Sequence, residues 1–357
     1  MASKSIKKGI IAVDIFCGAG GLTRGLLDAG IKVKKGYDID PGLKDTYEKN
    51  NEGVNFYCVN VSELKKEEIL KDLDLENNYL LLAGCAPCQP FSRINKNDGE
   101  DDRRKFLLLE FGRIVKEIKP DFIISENVPG LKRGKGRIIF EHFEKILEDE
   151  NYFFDSDILN AKDFGVPQNR KRLILLASKH RPVKIPEGKY GLLKPGKKPY
   201  LTVRDAISKY PKIEAGGKHP SITNHVTRNL SRTNKLRMKY IKPNGGSRFD
   251  LPPRLQLECH KKHTGHTDVY GRMRWDDVAP TLTCKCVSIS NGRFGHPDQA
   301  RGISVREAAA LQTFKDKYIF YGTLTDTTGW VGNAVPVKFS RVLGDYFIEG
   351  MKKLNSE

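Results

Sequence analysis

Short apolar runs and helical spacings alternate through the first half of the chain. Residues 10–16 are almost continuously apolar and read as a strand buried on both faces. A glycine-rich turn follows, then Leu22, Leu26 and Leu27 at helical spacing, stopped by Gly30. The same alternation predicts strands at 31–37, 54–61, 79–83 and 121–124. It places helices near 43–50, from 63, over 106–118 and over 138–147. Pro120 closes the 106–118 helix, since proline cannot continue the ladder. Two more strands, 152–159 and 172–177, come without a clear helix between them, as in an antiparallel hairpin at a sheet edge. The whole predicts a Rossmann-like α/β domain with a doubly wound, mostly parallel sheet.

Near residue 180 the pattern fades. Residues 181–220 are rich in Pro, Gly and Lys, and periodicity stays weak to about 270. This predicts a second, smaller and irregular domain. Helical pattern returns at 305–312, and an apolar helix runs through Phe339, Val342, Leu343, Phe347 and Ile348.

Charge sharpens that division. The 357 residues carry a formal net charge of +18. Residues 180–300 hold 24 Lys+Arg against 9 Asp+Glu, so most of the excess lies there. A concentrated positive surface points to a polyanion partner, a solvated basic face being the alternative. No run of about 18 apolar residues occurs, which argues against a membrane span. The first residues lack an apolar secretory core, and the seven cysteines show no framework spacing, so a reducing, cytoplasmic setting is expected.

Several clusters carry candidate chemistry. Phe16-Cys17-Gly18-Ala19-Gly20-Gly21 joins the first strand to the first helix, where glycines let backbone approach a ligand and helix N–H groups face it. Asp38 and Asp40 follow about 20 residues on, the spacing at which an acid reaches a ribose hydroxyl. A nicotinamide dinucleotide fits that arrangement equally well. Gly84-Cys85-Ala86-Pro87-Cys88-Gln89-Pro90-Phe91-Ser92 leaves the fourth strand and makes Cys88 a candidate nucleophile. Ser125-Glu126-Asn127-Val128 follows the fifth strand, and Pro167-Gln168-Asn169-Arg170-Lys171-Arg172 precedes another. The Arg301 to Phe314 segment and Gly332-Asn333-Ala334-Val335-Pro336 come late.

In this order and over residues 11–337, these motifs resemble the C5-cytosine DNA methyltransferases. The resemblance implies an S-adenosylmethionine-binding catalytic domain at 1–180, a β-rich target-recognition domain at 181–327, and a C-terminal segment, 328–357, returning to the first. It implies S-adenosylmethionine as methyl donor, held by Phe16, Gly18, Ala19, Gly20, Gly21, Asp38, Ile39, Asn60, Val61, Leu107, Asn333 and Val335. Asn60-Val61 stands where the family often has an aspartate, and Asn60 still offers an acceptor oxygen. Cys88 is the implied nucleophile toward C6 of cytosine, with Glu126, Arg170 and Arg172 as its catalytic partners and Asn127 holding the loop. Cys85 takes no role. A cytosine in a duplex must be swung out of the stack to reach such a site, and Gln89 and Ser92 are placed on that flipped nucleotide.

The implied partner is double-stranded DNA, in a prokaryotic modification enzyme with a possible cognate restriction endonuclease. Arg228, Arg232, Arg248, Arg272, Arg274 and Arg293 are the candidate DNA readers. Trp275, in Trp275-Asp276-Asp277-Val278-Ala279-Pro280, is expected in the core. Cys259, His260, His263, His266, Cys284 and Cys286 lie close in sequence, but without a Cys-x-x-Cys pair no metal is assigned. A transfer-RNA cytosine methyltransferase and an inactive DNA-binding regulator stay open as alternatives.

Overall fold

The structure is a computed structural model that describes residues 8–87, 106–191, 195–259, 265 and 267–356. The chain forms two compact units. The first holds residues up to Asn160, Lys171–Gly188 and Val337 onward; the second holds Ala161–Arg170 and Lys189–Pro336. The return to the first unit therefore begins at Val337. Ten residues between two strands of the first unit also belong to the second, a division that hydrophobic patterning did not indicate.

The first unit is built on β1 (Gly9–Ile15), β2 (Lys32–Asp38), β3 (Asn55–Cys58), β4 (Asn78–Gly84), β5 (Phe122–Asn127), β6 (Phe153–Asn160) and β8 (Lys171–Ser178). They form one seven-stranded sheet in the order β3-β2-β1-β4-β5-β8-β6. Pairings from β3 to β5 are parallel, and β8 runs antiparallel to both β5 and β6. The order reverses between β1 and β4, so their carboxyl ends open a crevice where ligands of such sheets bind.

Successive strand residues face opposite sides. Ile11, Val13 and Ile15 pack with Leu80, Leu82 and Ile123 against α4 (Leu107–Ile118) and α5 (Gly134–Asp149), where Phe111 meets Phe143 at 5.8 Å. The other face is covered by α1 (Gly21–Asp28) and α10 (Val337–Leu354), with Phe122 against Phe347 at 5.0 Å. Glycine lets helix backbones close here: a Cβ on Gly25 would stand 2.6 Å from the Val337 carbonyl oxygen. Two short helices, α2 (Lys44–Asn50) and α3 (Lys66–Leu70), complete this unit's framework. Among the described residues no helix is long and apolar enough to cross a membrane.

The second unit departs from the β-rich expectation. Its described ladder is β7 (Gln168–Asn169) beside β9 (Ala279–Pro280), with a few isolated bridges. Around these lie α6 (Val203–Ile207), α7 (Arg232–Tyr240), α8 (Val305–Leu311) and α9 (Leu324–Asn333). Buried arginines meet carbonyls that strands would otherwise satisfy. Arg272 donates to Ile241, His296, Gln299 and Met238, and Arg306 to Thr223, Lys315 and Tyr318. Arg301 makes a two-pronged pair with the buried Glu307 carboxylate, at 2.7 and 2.8 Å. These irregular loops have side-chain cores that pattern reading does not register.

Candidate active site

The crevice begins where β1 ends. Phe16 has φ 60°, a conformation costly for an aromatic residue and typical of functional turns. Gly20, at φ 77°, precedes α1 with no side-chain cap, so the first N–H groups of the helix are offered to a ligand. Nothing lies within 4 Å of where a Gly18 Cβ would stand. Asp38 is built into the same turn: Oδ2 accepts from Gly18 N at 2.9 Å and Oδ1 from Asp40 N at 3.1 Å. Burial raises its carboxyl above the usual range despite those hydrogen bonds.

Ile39 follows and is 68% exposed, a large apolar side chain left in water at the mouth of the crevice. Asn60 Oδ1 accepts from Ser62 N at 3.2 Å, so the oxygen that replaces the family's usual carboxylate already caps the next turn. Val61 is buried, and Phe16 and Leu107 pack on the same core cluster. These first-unit residues form an open glycine cradle, a ribose-height carboxylate and an apolar shelf, and they fit S-adenosylmethionine. Asn333 and Val335 belong to the second unit, the former exposed and the latter buried.

Asp14, beneath this turn, was not singled out by its sequence position. It is fully buried, its Oδ2 accepts from Thr23 Oγ1 at 2.7 Å, and its Oδ1 has no hydrogen-bond partner. Burial pushes its carboxyl up to about 7, against the Thr23 hydrogen bond and with help from Asp38. The folded protein thus keeps a proton that the unfolded chain releases near 3.8, so stability falls as pH rises from there to about 7. Asp14→Asn is expected to remove that slope. Melting curves should show the variant gaining on the wild type through this window, by several degrees at pH 8 on the order of the usual Tm response. A variant that keeps the wild-type slope would assign it to another group.

The chemical end lies on β4 and β5, whose Gly84 and Ser125 pair in register. Glycine is needed at 84 because a Cβ would stand 2.5 Å from the Phe111 ring. Beyond it, Cys85 N donates to Ile15 O at 3.3 Å, and Asn127 Nδ2 donates to Ala86 O at 3.3 Å. Asn127 therefore ties down the loop two residues before Cys88. Cys88, Gln89 and Ser92 themselves lie outside the described residues.

Glu126 ends inside β5 rather than after it, and is 7% exposed. Its Oε1 lies 2.9 Å from Arg172 Nε, close enough for an ion pair but without hydrogen-bond alignment, so that buried oxygen has no hydrogen bond. A buried carboxylate oxygen left unmatched is costly unless a ligand completes it. Arg172, on β8, is the fixed cation beside it.

Arg170 is only two residues away but lies in the second unit, 1% exposed. Its guanidinium donates to the carbonyls of Leu282, Gly332, Asn333 and Ala334 at 3.0 to 3.4 Å. Gln168 and Gln312, which sequence reading assigned no role, join this network through a 3.0 Å side-chain hydrogen bond. Nothing local in a sequence distinguishes such internal clamps from surface polar residues.

The candidate DNA readers divide in the same way. Arg272 is an internal brace, Arg248 is buried and donates to Gly265 O, and Arg293 donates to the carbonyls of Gly245, Gly246 and Arg272. Arg228, Arg232 and Arg274 are exposed. Trp275 is half-buried rather than core: Arg204 lies over its ring at 5.4 Å and its Nε1 donates to Asp298. The reason is its indole N–H, which needs a polar partner. His260, His263 and His266 lie outside the described residues, while Cys286 is buried and Cys259 and Cys284 are exposed.

The sheet order, its single reversed strand and the glycine turn define an S-adenosylmethionine-dependent methyltransferase. The same fold is seen in a prophage-encoded E. coli protein, with a TM-score of 0.72 at 23% identity over 98% of this chain and 100% of that one. Within that class the chain belongs to the C-5 cytosine-specific DNA methylases, whose family model matches residues 10–349. It is similar to the Type II methylase M.HgiDII of Herpetosiphon aurantiacus, 41% identical over 95% of this chain and 96% of that protein. It is also similar to the Type II methyltransferase M1.HphI of Haemophilus parahaemolyticus, 33% identical over 96% and 87%. The chain is thus an enzyme that transfers a methyl group from S-adenosylmethionine to C5 of cytosine in DNA.

Proposed function

We propose that the enzyme acts on one cytosine of a specific duplex sequence, everted from the helix and held covalently by Cys88 during transfer. The observation that carries this reading is the buried Glu126–Arg172 pair with its unmatched carboxylate oxygen, at the end of the strand next to the Cys88 loop.

The Gly18–Gly21 turn, Asp38, Ile39 and Val61 would hold S-adenosylmethionine, which would supply an electrophilic methyl group. Cytosine C5 is a poor nucleophile until a thiolate adds to C6. The new Cys88 Sγ–C6 bond breaks ring conjugation and places enamine character on C5. Glu126 accepts a hydrogen bond from the exocyclic amine and brings a proton to N3 as C6 is attacked, and Arg172 holds and balances the carboxylate that this leaves in a water-poor site. C5 takes the methyl group as that group's bond to the donor sulfur breaks; water accepts the C5 proton, the Cys88 thiolate leaves, and N3 returns its proton to Glu126, which restores the aromatic ring. Arg170 makes no contact with the base in this scheme. It is a positioning residue that fixes the chain two residues before Arg172. Asn127 fixes the other side, through Ala86.

Its similarity to bacterial Type II methylases supports reading it as a prokaryotic modification enzyme; in this reading it works in the cytoplasm beside a restriction endonuclease that cuts the same sequence. Bisulfite sequencing of DNA from cells expressing the protein tests the reading. A single sequence context with protected cytosines is expected. Unprotected DNA, with methylation found on transfer RNA instead, would transfer the activity to the RNA alternative.

A further inference from the structure

One stretch of the second unit is unlike the rest of the chain. Residues 215–249 contain eight Lys+Arg and neither Asp nor Glu. Helix α7 lies inside it. At 100° per residue, Arg232, Leu236 and Lys239 fall on one line, with Lys235 and Tyr240 flanking it. All five side chains are exposed. The opposite side of the helix holds it to the unit: Met238 is fully buried, and Arg237 donates to Leu255 O and Asn234 Oδ1, both at 2.8 Å. Among the described residues, no hydrogen bond or ion pair engages the side chains of Arg228, Arg232, Lys235 or Lys239.

We propose that this exposed face of α7 is the surface that holds duplex DNA, with Arg232, Lys235 and Lys239 on phosphates and Leu236 and Tyr240 at base edges. The inference rests on the reading of the enzyme as one that acts on duplex DNA. Three observations favour it over a merely solvated face. The cations are unpaired along the whole line, in a sequence stretch free of acids, so they present an unbroken field to a polyanion. Leu236 and Tyr240 are 40% and 42% exposed among them, and apolar surface between cations serves a partner that is charged at its rim and apolar within. That is the pattern of a major groove, where phosphates flank base edges and methyl groups. Finally, α7 stands with one long face free, and a helix about 10–12 Å across with its side chains is what a major groove about 12 Å wide admits. Arg254, exposed and donating to the Tyr240 hydroxyl at 3.0 Å, adds a cation at the helix's end and fixes the ring.

The test uses the full chain and a labelled duplex carrying the methylated context found by bisulfite sequencing. Binding is measured by anisotropy from low to moderate salt. Lys235→Gln with Lys239→Gln, changes that keep helix propensity, should flatten the log–log salt slope by about 2 and weaken binding alike on matched and mismatched duplexes. Leu236→Ala should leave the slope intact and narrow the preference for the matched duplex by roughly tenfold. Unfolding temperature and S-adenosylmethionine affinity should match the wild type in both. A double variant with wild-type slope and affinity overturns the proposal. A Leu236→Ala variant with full discrimination overturns the base-edge assignment. Failure of the wild type to methylate any duplex is a separate result, and sinks the duplex reading rather than α7.

Discussion

Cys88→Ser is expected to lower methyl transfer by on the order of 10⁴-fold or more, with S-adenosylmethionine affinity unchanged. Serine is close to cysteine in size but replaces a thiol that ionises readily with a hydroxyl that does not. Without addition at C6, C5 keeps its aromatic character and cannot accept the methyl group. The proposed cofactor cradle is built on the turns after β1 and β2 and does not include residue 88, so its affinity separates a chemical loss from a folding loss. The covalent step has its own readout. A duplex with fluorine at C5 of the target cytosine should become fixed to Cys88 after methyl transfer, because the fluorine cannot leave as the proton does. Peptide mapping should place the adduct on that residue. Adduct on Cys85, the neighbouring thiol in the loop, would move the nucleophile. Turnover by Cys88→Ser near the wild-type rate would remove the covalent pathway.

The second large effect belongs to the Glu126–Arg172 pair. Glu126→Gln should reduce kcat by about 10² to 10³-fold, the range of a positioned acid–base group. Gln keeps the size but loses the charge that Arg172 faces at 2.9 Å. Arg172→Lys should cost about 10²-fold, because lysine offers a point charge where a planar guanidinium is held against β5. Removing both should cost little more than removing Glu126 alone, since a shared unit is not additive. Full additivity would show that the two act separately. A rise in KM for S-adenosylmethionine, with kcat preserved, would place the pair in cofactor binding instead of chemistry.

The first unit was largely legible in the sequence because its central strands, β1, β4, β5 and β8, are buried on both faces, and such strands leave continuous apolar runs. The runs at 10–16, 79–83 and 172–177 fall on β1, β4 and β8, and the antiparallel edge was visible from the missing helix. Glu126 was readable as a motif residue. Its place inside β5, and the unmatched oxygen that distinguishes it, were set by tertiary packing. The 161–170 segment was not legible as part of the second unit, since membership in a compact unit is decided by contacts far apart in the chain.

The ordered motifs and the apolar periodicity by themselves determined the class of fold and the family, and marked the candidate reacting groups. These are written locally, in glycine turns, strand runs and short signatures. Tertiary structure alone decided which arginines are available. Arg170, Arg248, Arg272 and Arg293 are drawn inward to satisfy carbonyls of loops and helix ends, while Arg228 and Arg232 are left to solvent. A guanidinium has the same sequence signature in either place, and only the three-dimensional supply of unpaired carbonyls determines which it becomes.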